Sequence, residues 1–160
     1  MPSIKPDMTE NTMASPTFMQ IALEEARAAG QRGEVPVGCV IVRAEAIIAR
    51  AGNRTLADKD PTAHAEMLAI RTAASALGSE RLGDCDLYVT LEPCAMCAAA
   101  MSFARVRRLY FGAADVKGGA VENGPRFFTQ ATCHHRPEVY GGIGESDAAA
   151  LLKDFFQARR

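Results

Sequence analysis

The chain of 160 residues is predicted to fold as one α/β domain, a sandwich in which helices cover a sheet. Three observations predict it. Short apolar, β-branched runs alternate along the chain with segments of helical period. The length suits a single domain with a substantial core. The composition, 48% hydrophobic and 23% charged, is that of an ordinary globular protein rather than a disordered or fibrous one.

The elements follow in order. Ser15-Pro16 is a helix start, with the hydroxyl as cap and proline in the first turn. Phe18, Ile21, Ala22, Ala26 and Ala29 then recur at helical spacing until Gly30. Val37 to Val42 is a buried strand and Ala46 to Ala51 a second, joined by a tight turn at Arg43-Ala44-Glu45. Thr62 is placed to cap a helix through His64, Met67, Leu68, Ile70 and Ala74 to Gly78. Leu87 to Leu91 is a strand closed by Pro93, Cys94 to Phe103 a short helix rich in alanine, and Arg107 to Phe111 a strand. Residues 112–143 are glycine-rich and irregular, and Asp147 caps a last helix, Ala148 to Arg159.

No apolar run approaches the roughly 20 residues that cross a bilayer. Residues 1–15 lack the charged-then-apolar order of a secretory signal and are expected to form a disordered lead-in, with one domain over 16–160. These features predict a cytoplasmic protein. Cys39, Cys85, Cys94, Cys97 and Cys133 are too few and too uneven for a secreted disulfide framework, which favours metal-binding or catalytic roles for the clustered pair. Net charge is −1, yet basic residues outnumber acidic ones from residue 101 onward. A basic surface of that kind suits a polyanion, although a solvated face is the commoner meaning of charge alone.

The chemistry concentrates in His64-Ala65-Glu66 and Pro93-Cys94-Ala95-Met96-Cys97, each predicted to open a helix. A helix N-terminus stabilises thiolate through its free N–H groups and dipole, and the same field keeps a histidine neutral. The i, i+3 spacing sets both sulfurs on one face, close enough to share an ion. One histidine and two cysteines leave the fourth tetrahedral position of zinc open, as catalytic zinc requires. Glu66 then stands beside the metal as a general base. Alone, C-x-x-C also fits a redox pair or half of a structural zinc site, and H-x-E is weaker still. Together and in this order they match the H-x-E and P-C-x-x-C signature of zinc deaminases.

The segments Asp60 to Met67 and Leu87 to Cys97 resemble those of the bacterial tRNA-specific adenosine deaminases. So do Glu34-Val35-Pro36-Val37-Gly38, Gly52-Asn53-Arg54, Phe111-Gly112-Ala113 and Leu151 to Phe156. The resemblance implies a three-layer α-β-α sandwich of cytidine-deaminase type with a central mixed sheet. It also implies a homodimer, one catalytic zinc per chain, no organic cofactor and no membrane. The implied reaction converts adenosine to inosine at the wobble position of the tRNA anticodon stem-loop. Glu66 would take a proton from the attacking water and deliver it to ring N1 of the flipped-out base. Asn53 would contact the base, while Asp115 and Lys117 would line the path of the RNA. Between Val121 and Glu138 the chain departs from the usual pattern of that family, reading Phe127-Phe128-Thr129-Gln130-Ala131-Thr132-Cys133-His134-His135-Arg136.

Phe127, Phe128, Phe155 and Phe156 offer stacking for splayed bases, or core packing. Arg159 and Arg160 suit phosphate, or the C-terminus of a helix. Adjacent His134 and His135 point apart and are not expected to form a second metal site with Cys133. Cys39 and Cys85 look like small buried hydrophobes. The same zinc chemistry on a free purine such as guanine, or on a nucleoside, is the nearest alternative. A zinc-stabilised RNA-binding module is another, and would require a fourth protein ligand.

Overall fold

A computed structural model describes residues 16–159, so the N-terminal lead-in, including Ser15, and Arg160 lie outside the described residues. Five strands form one sheet in the order β2-β1-β3-β4-β5. Strand β1 (Gly38–Arg43) pairs antiparallel with β2 (Ala46–Gly52) and with β3 (Cys85–Leu91). Strands β4 (Arg108–Ala113) and β5 (Glu138–Tyr140) continue the sheet in parallel, which makes it mixed. The β1–β2 turn uses Ala44 and Glu45 at φ 48° and 64°, the left-handed pair that a two-residue hairpin demands, without glycine or asparagine.

Alternation along the strands sends side chains to two faces, each covered by a pair of helices. Val40 and Val42 point toward α1 (Phe18–Gln31) and α4 (Glu145–Gln157). Cys39, Ile41, Leu87, Val89, Leu109 and Phe111 point the other way, onto α2 (Ala65–Leu77) and α3 (Ala95–Ala104). The result is the expected three-layer sandwich. No helix among the described residues is long and apolar enough to cross a membrane.

Several helix boundaries differ from the sequence reading, each for a local reason. Helix α1 starts two residues later than expected, because Thr17 and Gln20 form a reciprocal capping box at 3.1 and 2.7 Å. It runs past Gly30, so that glycine does not end it. Thr62 does not cap α2, since its hydroxyl and N–H both go to Asp60 Oδ1. His64 occupies the cap position, and Gly78 closes the helix in the left-handed region at φ 62°, as expected. Helix α4 begins at Glu145 after left-handed Gly144, leaving Asp147 in the first turn, where its charge favours the dipole. The irregular stretch holds a single-turn 3-10 helix, Phe127–Thr129, and β5.

Close approach of α1 to β1 depends on Gly38, where a Cβ would run into the carbonyl oxygen of Ala22 and meet Ala26 N at 2.6 Å. Backbone cannot rotate away as a side chain can, so the helix must lift. Gly38→Ala is expected to cost about 3 kcal/mol in urea unfolding. Gly78→Ala, which meets nothing within 4 Å, is expected to cost only the left-handed strain of about 1 kcal/mol.

Candidate metal centre and active site

The starts of α2 and α3 lie side by side. His64 caps the first and Cys94 the second, with Cys97 on the same face one turn further on. His64 Nδ1 stands 3.6 Å from each sulfur, and the three ligand atoms lie within 4.8 Å of one another. Zinc–sulfur and zinc–nitrogen bonds of about 2.3 and 2.0–2.1 Å, met at the tetrahedral angle, put nitrogen and sulfur about 3.6 Å apart. The donor set and spacing therefore fit zinc. His64 and Cys94 are half-buried and Cys97 buried, so the open side faces the cavity.

Charges at the centre act on one another at contact distance. Hydrogen bonding from Cys97, helped by His64, brings the Cys94 thiol down to about 4, while Cys97, bonded to that sulfur and buried, is pushed up. His64 is raised by the neighbouring Cys94 sulfur, the reverse of what its place at a helix start predicts. At contact distance the thiolate outweighs the dipole. Glu66, only 4% exposed, has its carboxyl raised first by burial and then by Cys94.

Two adjoining cavities surround this centre. The smaller, about 320 Å³, is lined by His64, Glu66 and Cys94, with Asn53, Asp115 and Gly118 on its walls. The larger, about 760 Å³, shares Val35, Leu91 and Asp115 with it and is flanked by Lys117, Phe156 and Arg159. His64, Glu66, Cys94, Asn53 and Asp115 thus line the smaller cavity and Asp115, Lys117, Phe156 and Arg159 the larger, whereas Cys97 is buried and lines neither. Two of them are already engaged by the protein. Asn53 accepts the Ala65 N–H at 2.8 Å and donates to Val35 O at 3.1 Å, so it also caps α2, which His64 leaves without a side-chain cap. Asp115 Oδ1 accepts the N–H groups of Lys117 and Gly118 at 3.1 and 2.9 Å, closing its own loop.

Phe128 is buried and Phe127 packs against it edge-on, so both belong to the core. Phe155 lies beneath the Arg159 guanidinium, 3.4 Å from the ring centre, whereas Phe156 is 50% exposed. His135 Nε2–H donates to Val106 O at 2.7 Å, and Cys133 donates to His135 O at 3.1 Å. Both side chains are thus engaged by the protein itself, away from the triad.

Sequence reasoning passed over Glu34 and Glu92, which are 1% and 2% exposed. Each accepts backbone N–H groups from a wall of the depression, Glu34 from Leu56 and Ala57 at 3.0 and 3.1 Å, and Glu92 from residues 115 to 123. An acidic residue flanked by apolar ones, Glu34-Val35-Pro36 and Leu91-Glu92-Pro93, was the available signal.

A mixed sheet with helices on both faces, and a His-Cys-Cys centre beside a buried carboxylate at two helix starts, define a zinc-dependent deaminase. The family of the cytidine and deoxycytidylate deaminase zinc-binding region matches residues 13–113. The tRNA-specific adenosine deaminase of Agrobacterium fabrum is 62% identical over 143 residues, 89% of this chain and 94% of that protein. A solved structure from studies of A-to-I editing by tRNA:A34 deaminases at the wobble position is 64% identical, with a TM-score of 0.83 over 84% of this chain and 98% of that one. The guanine deaminase of Bacillus subtilis is further off, at 34% identity and a TM-score of 0.59 over 71% and 83% of the two chains. The chain belongs to the tRNA-specific adenosine deaminases within that zinc-binding family.

Burial alone would raise the Glu34 carboxyl, but the N–H groups of Leu56 and Ala57 and the charge of Arg32 outweigh it and hold it below 4.5. Its contribution to stability is therefore complete above the ordinary value of 4.5 and lost as pH falls through the lower folded value. Urea midpoints across pH 3 to 7 are expected to show it: Glu34→Gln lowers stability at pH 7 and flattens the fall below about pH 4.5.

Proposed function

We propose that the protein hydrolyses adenosine to inosine, releasing ammonia, at the wobble position of tRNA anticodons. The observation that carries this reading is Glu66, buried beside the metal triad in a small cavity that opens into a wider groove. His64, Cys94 and Cys97 hold the zinc, which when bound supplies Lewis-acid activation of the attacking water. Glu66 takes the proton of that water and delivers it to ring N1 as C6 is attacked. A second transfer through Glu66 lets ammonia leave.

Asn53 keeps one amide hydrogen beyond its bond to Val35, and that hydrogen contacts the edge of the base. The wider groove takes the flanking nucleotides. Phe156 offers an exposed ring for stacking, Lys117 and Arg159 meet phosphate, and Asp115 shapes the rim. A free purine would need the small cavity alone, and the groove beyond it favours a polynucleotide. Such a substrate places the protein in the cytoplasm.

The same reading includes a homodimer. Met96, Ala99, Ala100 and Phe103 form one apolar stripe on α3, two alanines between a methionine and Phe103, which is 68% exposed. A self-complementary helix face of this kind suits a two-fold contact between copies. Phe103→Glu is expected to shift the protein from dimer to monomer in sedimentation velocity, with its zinc retained.

The decisive assay follows inosine in an anticodon stem-loop carrying wobble adenosine, with free adenosine and guanine in parallel. Turnover is expected on the stem-loop, and turnover on guanine alone would overturn the substrate. Glu66→Ala is expected to keep its zinc by metal analysis and lose at least about 10³-fold in kcat.

A further inference from the structure

Glu92 lies between β3 and the first zinc-ligating cysteine, and its carboxylate accepts five hydrogen bonds from one segment. Oε1 takes Asp115 N at 3.0 Å and Asn123 Nδ2 at 2.7 Å. Oε2 takes the N–H groups of Val121, Glu122 and Asn123 at 3.1, 3.0 and 3.1 Å. No arginine or lysine pairs with it among the described residues. The donors are the two limbs of the loop whose tip lines both cavities. Main chain tightens the same junction, with Glu92 N donating to Ala113 O and Ala120 N to Pro93 O, both at 2.8 Å. Gly119 closes it, since a Cβ there would collide with Asp115 O and meet Glu92 Oε2 at 2.5 Å.

We infer that Glu92 is a positioning residue, which registers the substrate-lining rim at Asp115 to Gly118 against the metal-ligating start of α3. This rests on the deaminase reading above. The base lies between that rim and the Asn53 wall, while the reacting groups ride on α2 and α3. Glu92 is covalently continuous with Cys94 and hydrogen-bonded to the rim, so it sets the distance between the two. Only a carboxylate performs this task, because it offers acceptor sites on both oxygens and no hydrogen. The amide of glutamine would turn an N–H toward two or three N–H donors whichever way it lay.

The experiment compares zinc content, thermal melting, KM and kcat on the anticodon stem-loop. Glu92→Gln is expected to keep its zinc and raise KM at least about tenfold, with kcat changed less than KM. Adding Asn123→Asp restores an acceptor opposite the new amide and is expected to recover part of the lost affinity. Gly119→Ala keeps the glutamate but forces its carboxylate and the rim at Asp115 apart, and is expected to raise KM in the same way should Glu92→Gln fail to fold. An unchanged KM in zinc-loaded Glu92→Gln or in Gly119→Ala would overturn the inference, as would a double variant no better than the single. A wild-type protein inactive on the stem-loop counts against the substrate reading instead, and the same comparison then runs on whichever purine it deaminates.

Discussion

The approach of one imidazole nitrogen to two sulfurs, 3.6 Å from each, is the constraint on which the rest of the molecule is arranged. Meeting it requires two helices to begin at one place, and two helices begin together only where a sheet holds them. Strand β3 delivers Cys94 directly through Glu92 and Pro93, while β2 delivers His64 through the longer turn of residues 53–63. The parallel β3–β4 pair then needs a crossover, and α3 serves as that crossover while carrying both cysteines. Metal ligands and fold topology therefore rest on the same residues.

Polar groups set the walls around that centre. A loop beside an active site cannot bury much apolar surface, so its backbone donors need acceptors from elsewhere. Glu34 and Glu92 supply them from positions sunk in the core, accepting two and four backbone N–H groups. Asn53 and Asp115 do related work while facing the cavity, so residues that line it also stiffen it. A cavity wall held this way is preorganised, its backbone donors already satisfied.

Much was legible in advance where the signal was local. Apolar β-branched runs marked β1 to β4, and His64-Ala65-Glu66 with Cys94-Ala95-Met96-Cys97 marked the metal centre, because donor type and i, i+3 spacing are properties of the chain alone. Three-residue β5 was invisible, since its pairing comes from β4 and not from its own composition. Helix starts shifted for the same reason: Thr17 and Thr62 are both adequate caps, and only the hydrogen bonds to Gln20 and Asp60 distinguish them.

What the sequence by itself determined is the chemistry of the metal centre, for one histidine and two cysteines limit the metal and leave one position open. Tertiary structure alone decided how that chemistry is framed. Glu92 and the loop from Asp115 to Asn123 are more than twenty residues apart, and Glu34 and Leu56 are as far. Such pairings leave no periodicity or spacing in the chain, because the partner of a buried carboxylate is a backbone N–H that any residue type carries. Where those donors converge is a fact of packing, and packing is decided only when the sheet and its two helical layers have closed.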